Sequence, residues 1–179
     1  YPLNICVIQD GANFFNQKNG CAAVFRQIPS KVLSAEDLGL PPICTQAALY
    51  RKGMVLVTGP TGSGKSTTLA AIMDYANNNR KDHIITVEDP IEFVHQSKGC
   101  LVNHREVGRH TRSFASALKG ALRQDPDIIL VGEMRDLETI RLAVEAAATG
   151  HLVFGTLHTI SAAKTIDRVI EVFPADEQS

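Results

Sequence analysis

The chain has 179 residues, of which 44% are hydrophobic, so it can fold as one ordinary domain or as one domain and part of another. Its 18 basic and 19 acidic residues leave a net charge of −1, which argues against nucleic acid or an anionic membrane as the main partner. The four cysteines are scattered without a C-x-x-C pair and no segment has the apolar length of a membrane span, so we expect a soluble, cytosolic protein without a cysteine-based metal or redox site.

Residues 1–33 predict part of an N-terminal domain. Residues 5–8 and 22–28 have the composition of strands, and the polar segment 9–20 between them predicts a turn-rich loop. Two or three strands are too few to form a stable domain alone, so we expect them to belong to a larger sheet.

Residues 34–52 predict a linker with two short helices. Ser34 to Asp37 have a capping-box pattern, which predicts a helix that ends at Gly39. Pro41 and Pro42 then lead into a second predicted helix over residues 43–51.

From Gly53 onward, predicted strands and helices alternate, which is typical of an α/β fold with a parallel sheet covered by helices. The predicted strands are residues 54–58, 83–87, 128–131 and 152–156. The first predicted helix covers residues 67–75 and is broken by the asparagines at 77–79, and the last covers residues 161–170. Between them, Ser113 caps a predicted helix whose apolar face consists of Phe114, Ala117, Leu118, Ala121 and Leu122. Asp136 caps another, whose predicted buried stripe consists of Leu137, Ile140, Val144 and Ala147.

A phosphate-binding loop follows the first of these strands. Its residues fit the pattern G-x-x-x-x-G-K-[ST] and run directly into the next helix: Gly59, Pro60, Thr61, Gly62, Ser63, Gly64, Lys65, Ser66 and, behind them, Thr67. The glycines let several amide N–H groups point inward, and the helix N-terminus adds further donors. We expect Lys65 to reach the β- and γ-phosphates of a nucleotide and the Ser66 hydroxyl to be a ligand of Mg²⁺.

Acidic residues follow two other strands, and the carboxyl ends of parallel strands meet at the ligand-binding edge of a sheet. Glu133 ends a short aliphatic strand, as in a Walker B motif, and is predicted to reach the Mg²⁺ through water. Glu88, Asp89 and Glu92 follow the strand at 83–87. Either Glu92 or Glu88 can orient and deprotonate an attacking water molecule, and the sequence leaves that choice open.

The histidines and arginines give weaker indications. His158 follows the strand at 152–156 and is predicted to contact the γ-phosphate or a neighbouring carboxylate. His151 precedes the same strand and is a poorer candidate on geometry. Most of the arginines at 105, 109, 112, 123 and 135 are expected to be surface charges, although some can act between subunits of an oligomer.

Four blocks of sequence resemble one family. Residues 58–68, 87–93, 127–139 and 149–159 look like the Walker A, Asp box, Walker B and His box of the secretion ATPase superfamily. Residues 132–139 and 168–176 are most similar to its pilus-retraction branch. The resemblance implies that Glu92 is the catalytic glutamate, that Glu133 lies in Walker B, and that His151 and His158 form the His box.

The resemblance also implies an architecture and a setting. Residues 1–33 would be part of a PAS-like domain, 34–52 a linker, and 53–179 a RecA-like ATPase domain that lacks its C-terminal part. Members of the family form homohexamers that use ATP and Mg²⁺ and dock on a pilus platform protein at the cytoplasmic face of the bacterial inner membrane. Residues 5–13 depart from the family because they lack its paired arginines.

Three alternatives remain at this point. The same ATPase core serves pilus assembly, type II secretion and conjugative transfer. A nucleotide-gated interaction module without hydrolysis is disfavoured because both Glu92 and Glu133 are present. A small-molecule kinase is disfavoured because no lid-like arginine segment is evident.

Overall fold

The computed structural model describes residues 11–18, 20–26, 29, 31–159, 161–171 and 173. The strands are β1 Gly11–Gln17, β2 Gly20–Arg26, β3 Gly53–Thr58, β4 His83–Glu88, β5 Leu101–Glu106, β6 Ile128–Val131 and β7 Leu152–Leu157. The helices are α1 Pro42–Ala47, α2 Lys65–Asn79, α3 Phe114–Ala121, α4 Leu137–Ala148 and α5 Ala162–Ile170.

Five strands form one sheet in the order β3-β7-β6-β4-β5, and every pair in it is parallel. The central strands β6 and β7 are buried along their whole length, because helices cover both faces. The α/β fold with a mainly parallel sheet, predicted from the alternation of elements, is therefore confirmed. All five strands run the same way, so their carboxyl ends lie along one edge.

The two faces of the sheet contribute to separate hydrophobic clusters because successive residues of a strand point to opposite sides. In β7, Leu152 and Phe154 pack in a cluster with Leu69, Ile72 and Met73 of α2. Val153 packs on the other face in a second cluster that includes residues of α3 and α4. The helix that begins at the phosphate-binding loop is thus fixed against the middle of the sheet.

The N-terminal elements differ from the prediction. Residues 11–17, predicted to be part of a loop, form β1, which pairs antiparallel with β2 and matches Phe14 with Ala23. The turn-like composition of this segment is outweighed by its pairing with β2. The strand predicted at residues 5–8 lies outside the described residues, as do residues 27 and 28 at the end of the predicted second strand.

The linker contains the predicted capping pattern but not the predicted helix. The backbone N–H of Asp37 donates to Ser34 Oγ at 3.0 Å, and the Ser34 N–H donates back to Asp37 Oδ2 at 3.1 Å. Residues 35–39 form only turns, so the prediction of a first helix was wrong. The second helix exists as α1 but ends at Ala47, earlier than predicted.

The predicted break of α2 at residues 77–79 was wrong, because Asn77 is fully buried and its side chain is satisfied. Its Nδ2 donates to the Gln96 carbonyl at 2.8 Å, and its Oδ1 accepts from the N–H groups of Lys98 at 3.1 Å and Cys100 at 3.3 Å. The helix continues through Asn79, and its last turn is tied to residues 96–100.

The predicted buried stripe of α4 was also partly wrong. Ile140 is buried as predicted, but Leu137 is 48% exposed, and the other buried positions of the helix are Thr139, Ala143 and Ala146. Leu137 is the first helical residue after the cap Asp136, and this places it outside the contact with the sheet. Strand β5 was not predicted from the sequence. Among the described residues, no helix is both long and apolar enough to cross a bilayer.

Candidate functional site

The phosphate-binding loop connects β3 to α2 with three glycines in conformations that other residues rarely adopt. Gly59, Gly62 and Gly64 have φ values of +150°, +79° and +87°. A Cβ atom on Gly59 would also lie 2.7 Å from Ser63 Oγ. These positions therefore require glycine, and they let the loop wrap tightly in front of the first turn of α2.

Lys65 is the first residue of α2, and its side chain folds back over the loop. Its Nζ donates to the carbonyl oxygens of Gly59 and Pro60, each at 2.9 Å. A lysine held in this position lies beside the loop amides, so it can move to a phosphate group by exchanging these two carbonyl contacts for phosphate oxygens.

A cavity of about 510 Å³ opens above the loop. Its volume lies within the range of small-molecule sites, about 300–1,000 Å³. The loop lines one side, and the ends of β4, β6 and β7 line the other with Asp89, Pro90, Glu92, Gly132, Glu133, Arg135, Thr156 and His158. The structure thus brings Lys65, Ser66, Glu92, Glu133 and His158 together around one space, as the sequence predicted for the edge of the sheet.

Glu133 follows β6 and is held by two basic groups. Its Oε2 lies 2.6 Å from Arg135 Nη2, and its Oε1 lies 3.1 Å from His158 Nε2. The hydrogen bond from Arg135 holds the pKa of Glu133 below its usual range; burial opposes this shift, and the nearby charges of Arg135, His158 and Lys65 reinforce it. Glu133 is therefore ionised at neutral pH and presents a carboxylate to the cavity.

Glu88 and Glu92 occupy different environments. Glu88 is only 8% exposed, and its Oε2 accepts the backbone N–H of Glu92 at 3.1 Å. Glu92 is exposed and lines the cavity, and its carboxylate has no hydrogen-bond partner within the described part of the chain. Glu92 is thus the freer group to approach a water molecule, whereas Glu88 shapes the turn that carries it.

Two polar residues of the cavity were missed in the sequence. Thr156 is buried near the end of β7, and its hydroxyl donates to the Gly132 carbonyl at 2.5 Å, which joins the ends of β6 and β7. Arg135 is one of the arginines of which most were expected to be surface charges and some to act between subunits, and it pairs with Glu133. The sequence signal for both was their place near the end of a strand, because Arg135 follows Glu133 by two residues and Thr156 precedes His158 by two.

His151 lies at the opposite end of β7 from His158. Its Nδ1 is 2.9 Å from the carbonyl oxygen of Ala146 at the end of α4, and His151 does not line the cavity above the loop. The functional role that the resemblance implies for His151 stays a prediction.

Comparison with known proteins gives consistent results. Residues 18–175 match the type II/IV secretion system protein family. The chain is 68% identical over 167 residues to the type IV pilus retraction ATPase PilT of Pseudomonas aeruginosa and 66% identical over 166 residues to a twitching motility protein of Neisseria gonorrhoeae. Each match covers 93% of this chain, but only 48% and 44% of those two relatives.

A solved structure agrees with these sequence matches. The crystal structure of the pilus retraction motor PilT with bound ADP superposes with a TM-score of 0.91 at 53% identity, covering 94% of this chain and 49% of that one. The chain therefore spans about half the length of the relatives it matches. With the family match extending over residues 18–175, the chain belongs to the type II/IV secretion system protein family.

Proposed function

We propose that the chain is the ATP-hydrolysing core of a type IV pilus retraction motor. The observation that carries the proposal is the single cavity of about 510 Å³ that gathers the phosphate-binding loop, Glu92, Glu133 and His158. The 68% identity to PilT over 93% of this chain supports the retraction branch over pilus assembly, type II secretion and conjugative transfer.

In this proposal the nucleotide lies with its phosphates on the loop amides. Lys65 leaves the Gly59 and Pro60 carbonyls to contact the β- and γ-phosphates, and residues 59–67 form the binding surface. Glu92 orients a water molecule whose oxygen attacks the γ-phosphorus. Glu92 takes a proton from this water, and the bond between the γ-phosphorus and the bridging oxygen breaks to release ADP.

The site also fits Mg²⁺. This ion prefers oxygen ligands and usually keeps several waters, so that one or two protein groups and the substrate phosphates complete its shell. Ser66 and Glu133 supply such oxygens, and the described residues contain no larger cluster of metal-binding side chains that would indicate a different metal. Bound Mg²⁺ would neutralise charge on the phosphate oxygens. His158 would keep Glu133 oriented.

The domain organisation follows from the same proposal. Residues 53–179 form a RecA-like ATPase domain, 34–52 a linker, and 1–33 part of a PAS-like domain to which the β1–β2 hairpin belongs. The protein would act as a homohexamer docked on a platform protein at the cytoplasmic face of the inner membrane, where hydrolysis removes pilins from the pilus base.

The first experiment is the Mg²⁺-dependent ATPase rate of the full-length gene product as a function of protein concentration, with the oligomeric state followed by light scattering. We expect turnover to rise as the hexamer forms and to disappear in Lys65→Ala. Lys119→Ala is the matched control, because Lys119 is exposed and pairs with Glu138 on the surface. A monomer that binds ATP without turnover at any concentration would favour the nucleotide-gated module instead.

A further inference from the structure

A smaller chamber of about 60 Å³ lies behind the nucleotide cavity, between α2 and the ends of β4 and β6. It shares part of its lining with that cavity, including Ser66, Glu92 and Glu133. The residues that belong to the chamber alone are Leu69, Ala70, Glu88, Phe93, His95 and Leu130. The chamber is therefore an inward extension of the proposed reaction site, and His95 is its one additional basic side chain.

His95 is buried without complete hydrogen bonding. The residue is only 7% exposed, and its Nδ1 has no hydrogen-bond partner among the described residues. Burial lowers the pKa of the His95 ring, with the nearby His104 acting in the same direction, so the ring is neutral at pH 7. A buried ring nitrogen without a hydrogen-bond partner costs stability, so a polar partner at this position would stabilise the protein.

The position of His95 is fixed by His104 on the edge strand β5. The two rings stack with their centroids 6.0 Å apart and their planes within 13°. The His95 backbone N–H lies 3.1 Å from His104 Nε2, and His104 Nδ1 lies 2.8 Å from Thr86 Oγ1. His104 Nε2 also lies 3.1 Å from the His95 carbonyl oxygen, so this ring contacts both backbone polar groups of His95.

His104 also lies close to Glu88, and Glu88 in turn contacts Glu92. His104 Nδ1 is 3.9 Å from Glu88 Oε1, and the other oxygen of Glu88 accepts the Glu92 N–H. His95 follows Glu92 by three residues on the same segment. The histidine pair thus holds that segment at His95. The unpartnered Nδ1 belongs to the same residue, which lines the chamber together with Glu88 and Glu92.

We propose that His95 is a positioning residue for the hydrolysis described above: its Nδ1 binds a water molecule in the inner chamber that bridges to the carboxylates of Glu88 and Glu92. A volume of about 10–15 Å³ suffices for one water molecule, so the chamber has room. Such a water would satisfy the buried nitrogen and restrict the orientation of Glu92 toward its own attacking water. The inference rests on the proposed ATPase function.

Substitutions can separate this role from simple packing. His95→Asn keeps a polar atom near the position of Nδ1, His95→Gln moves it toward the position of Nε2, and His95→Leu removes it. We expect His95→Asn to retain most of the wild-type kcat, and the Gln and Leu variants to lose about 10-fold or more, as for a misplaced catalytic group. The Kd for ADP should stay close to the wild-type value in all three.

His83→Asn is the matched control. The ring of His83, unlike that of His95, makes two hydrogen bonds, to the Gln124 carbonyl and to Asn103 Oδ1, and it lies at the amino end of β4, away from the cavity. The His83→Asn substitution should leave kcat unchanged. If kcat of the three His95 variants instead follows their loss of thermal stability, or if His95→Asn is as slow as His95→Leu, the positioning role is wrong.

A crystal structure of the full-length protein with ADP tests the same site without turnover. We expect an ordered water within hydrogen-bond distance of His95 Nδ1, and its loss in His95→Leu. A dry chamber would overturn the inference even if the wild-type enzyme hydrolyses ATP. A wild-type protein that never hydrolyses ATP would refute the proposed function, and with it the positioning role, whatever the chamber contains.

Discussion

His158 Nε2 lies 3.1 Å from a carboxylate oxygen of Glu133, although the two residues follow different strands. The contact exists because β6 and β7 are parallel neighbours whose carboxyl ends meet. Arg135 holds the other oxygen of the same carboxylate at 2.6 Å. Glu133 is therefore oriented from both sides, by the guanidinium of Arg135 and by the imidazole of His158.

Removing His158 should disturb catalysis more than binding. In His158→Ala, Glu133 keeps Arg135 but loses one of its two fixed contacts, so we expect kcat for ATP to fall about 10-fold or more. The Kd for ADP should change much less, because the loop amides and Lys65 are intact. Steady-state kinetics and fluorescent-nucleotide binding measure the two quantities, with His83→Ala as a histidine control remote from the cavity. An unchanged kcat would mean that the Glu133 contact has no role in turnover.

The two glutamates after β4 should respond differently to removal of charge. Glu92→Gln is expected to keep ATP binding and to lower kcat by about 10²-fold or more, the range for loss of a general base. Glu88→Gln retains an oxygen that can accept the Glu92 N–H, so its effect on kcat should be smaller. Single-turnover hydrolysis with excess enzyme compares them directly. The reverse order of effects would transfer the role of the base to Glu88.

Gly132 is a position with little space for an added methyl group. A Cβ there would lie 3.2 Å from Glu88 Cγ and 3.3 Å from both Glu88 Cα and the Val87 carbonyl. Gly132→Ala should lower the free energy of unfolding by about 1–3 kcal/mol, as overpacking does, and should also lower kcat because it displaces Glu88. Chemical denaturation and ATPase rates provide the measurements.

Gly120→Ala is the control for that substitution. Gly120 lies within α3, and its added Cβ would approach only the end of the Arg105 side chain, at 3.3 Å. Alanine is the better helix former by about 1 kcal/mol, so this variant should be as stable as the wild type or more stable. Equal destabilisation in both variants would contradict the argument from the Glu88 contact.

Asp136 should make stability depend on acid pH. Its carboxylate caps α4 by accepting from the N–H of Thr139 at 2.8 Å and from the Thr139 hydroxyl at 2.7 Å. Burial alone would raise the pKa of Asp136, but the hydrogen bonds from the Thr139 side chain and the backbone outweigh it and hold the pKa below the ordinary 3.8. Because the folded-state pKa is depressed, the contribution to stability is complete above about pH 3.8 and is lost as the pH falls through the folded-state value.

Two variants check this prediction. Asp136→Ala should lower the free energy of unfolding by about 1 kcal/mol at pH 7, the usual cost of a lost cap. Asp136→Asn keeps an acceptor that does not titrate, so its stability should fall less steeply than that of the wild type below about pH 3.8. Parallel acid titrations followed by circular dichroism would show this, and identical slopes would rule the cap out as a source of the acid dependence.

The sequence predicted those parts of the fold that carry a strong local pattern. The buried strands read as continuous aliphatic runs because both faces of the sheet are covered, as in Ile128–Val131. The phosphate-binding loop is recognisable because its glycine positions are set by backbone geometry. The gathering of Glu92, Glu133 and His158 followed from one rule about the ends of parallel strands.

The parts that were missed depend on partners distant in sequence. Strand β5 is an edge strand rich in polar residues, and its His104 and Asn103 are satisfied by Thr86 and His83 of the neighbouring β4. Without that strand beside it, the segment has the composition of a loop. Asn77 looks like a helix breaker for the same reason, since its three partners on the 96–100 segment cannot be identified from local sequence.

The unbroken end of α2 has a mechanical consequence. The segment from Asp89 to His95 starts at the end of β4 on the sheet and reaches the 96–100 segment, which Asn77 binds to the far end of the phosphate-loop helix. Glu92 therefore sits on a span that begins at the end of β4 and is held at His95 by His104 of β5, and α2 is attached just beyond that point. A shift of α2 along the sheet would therefore have to be taken up at residues 96–100, directly next to the segment that carries Glu92.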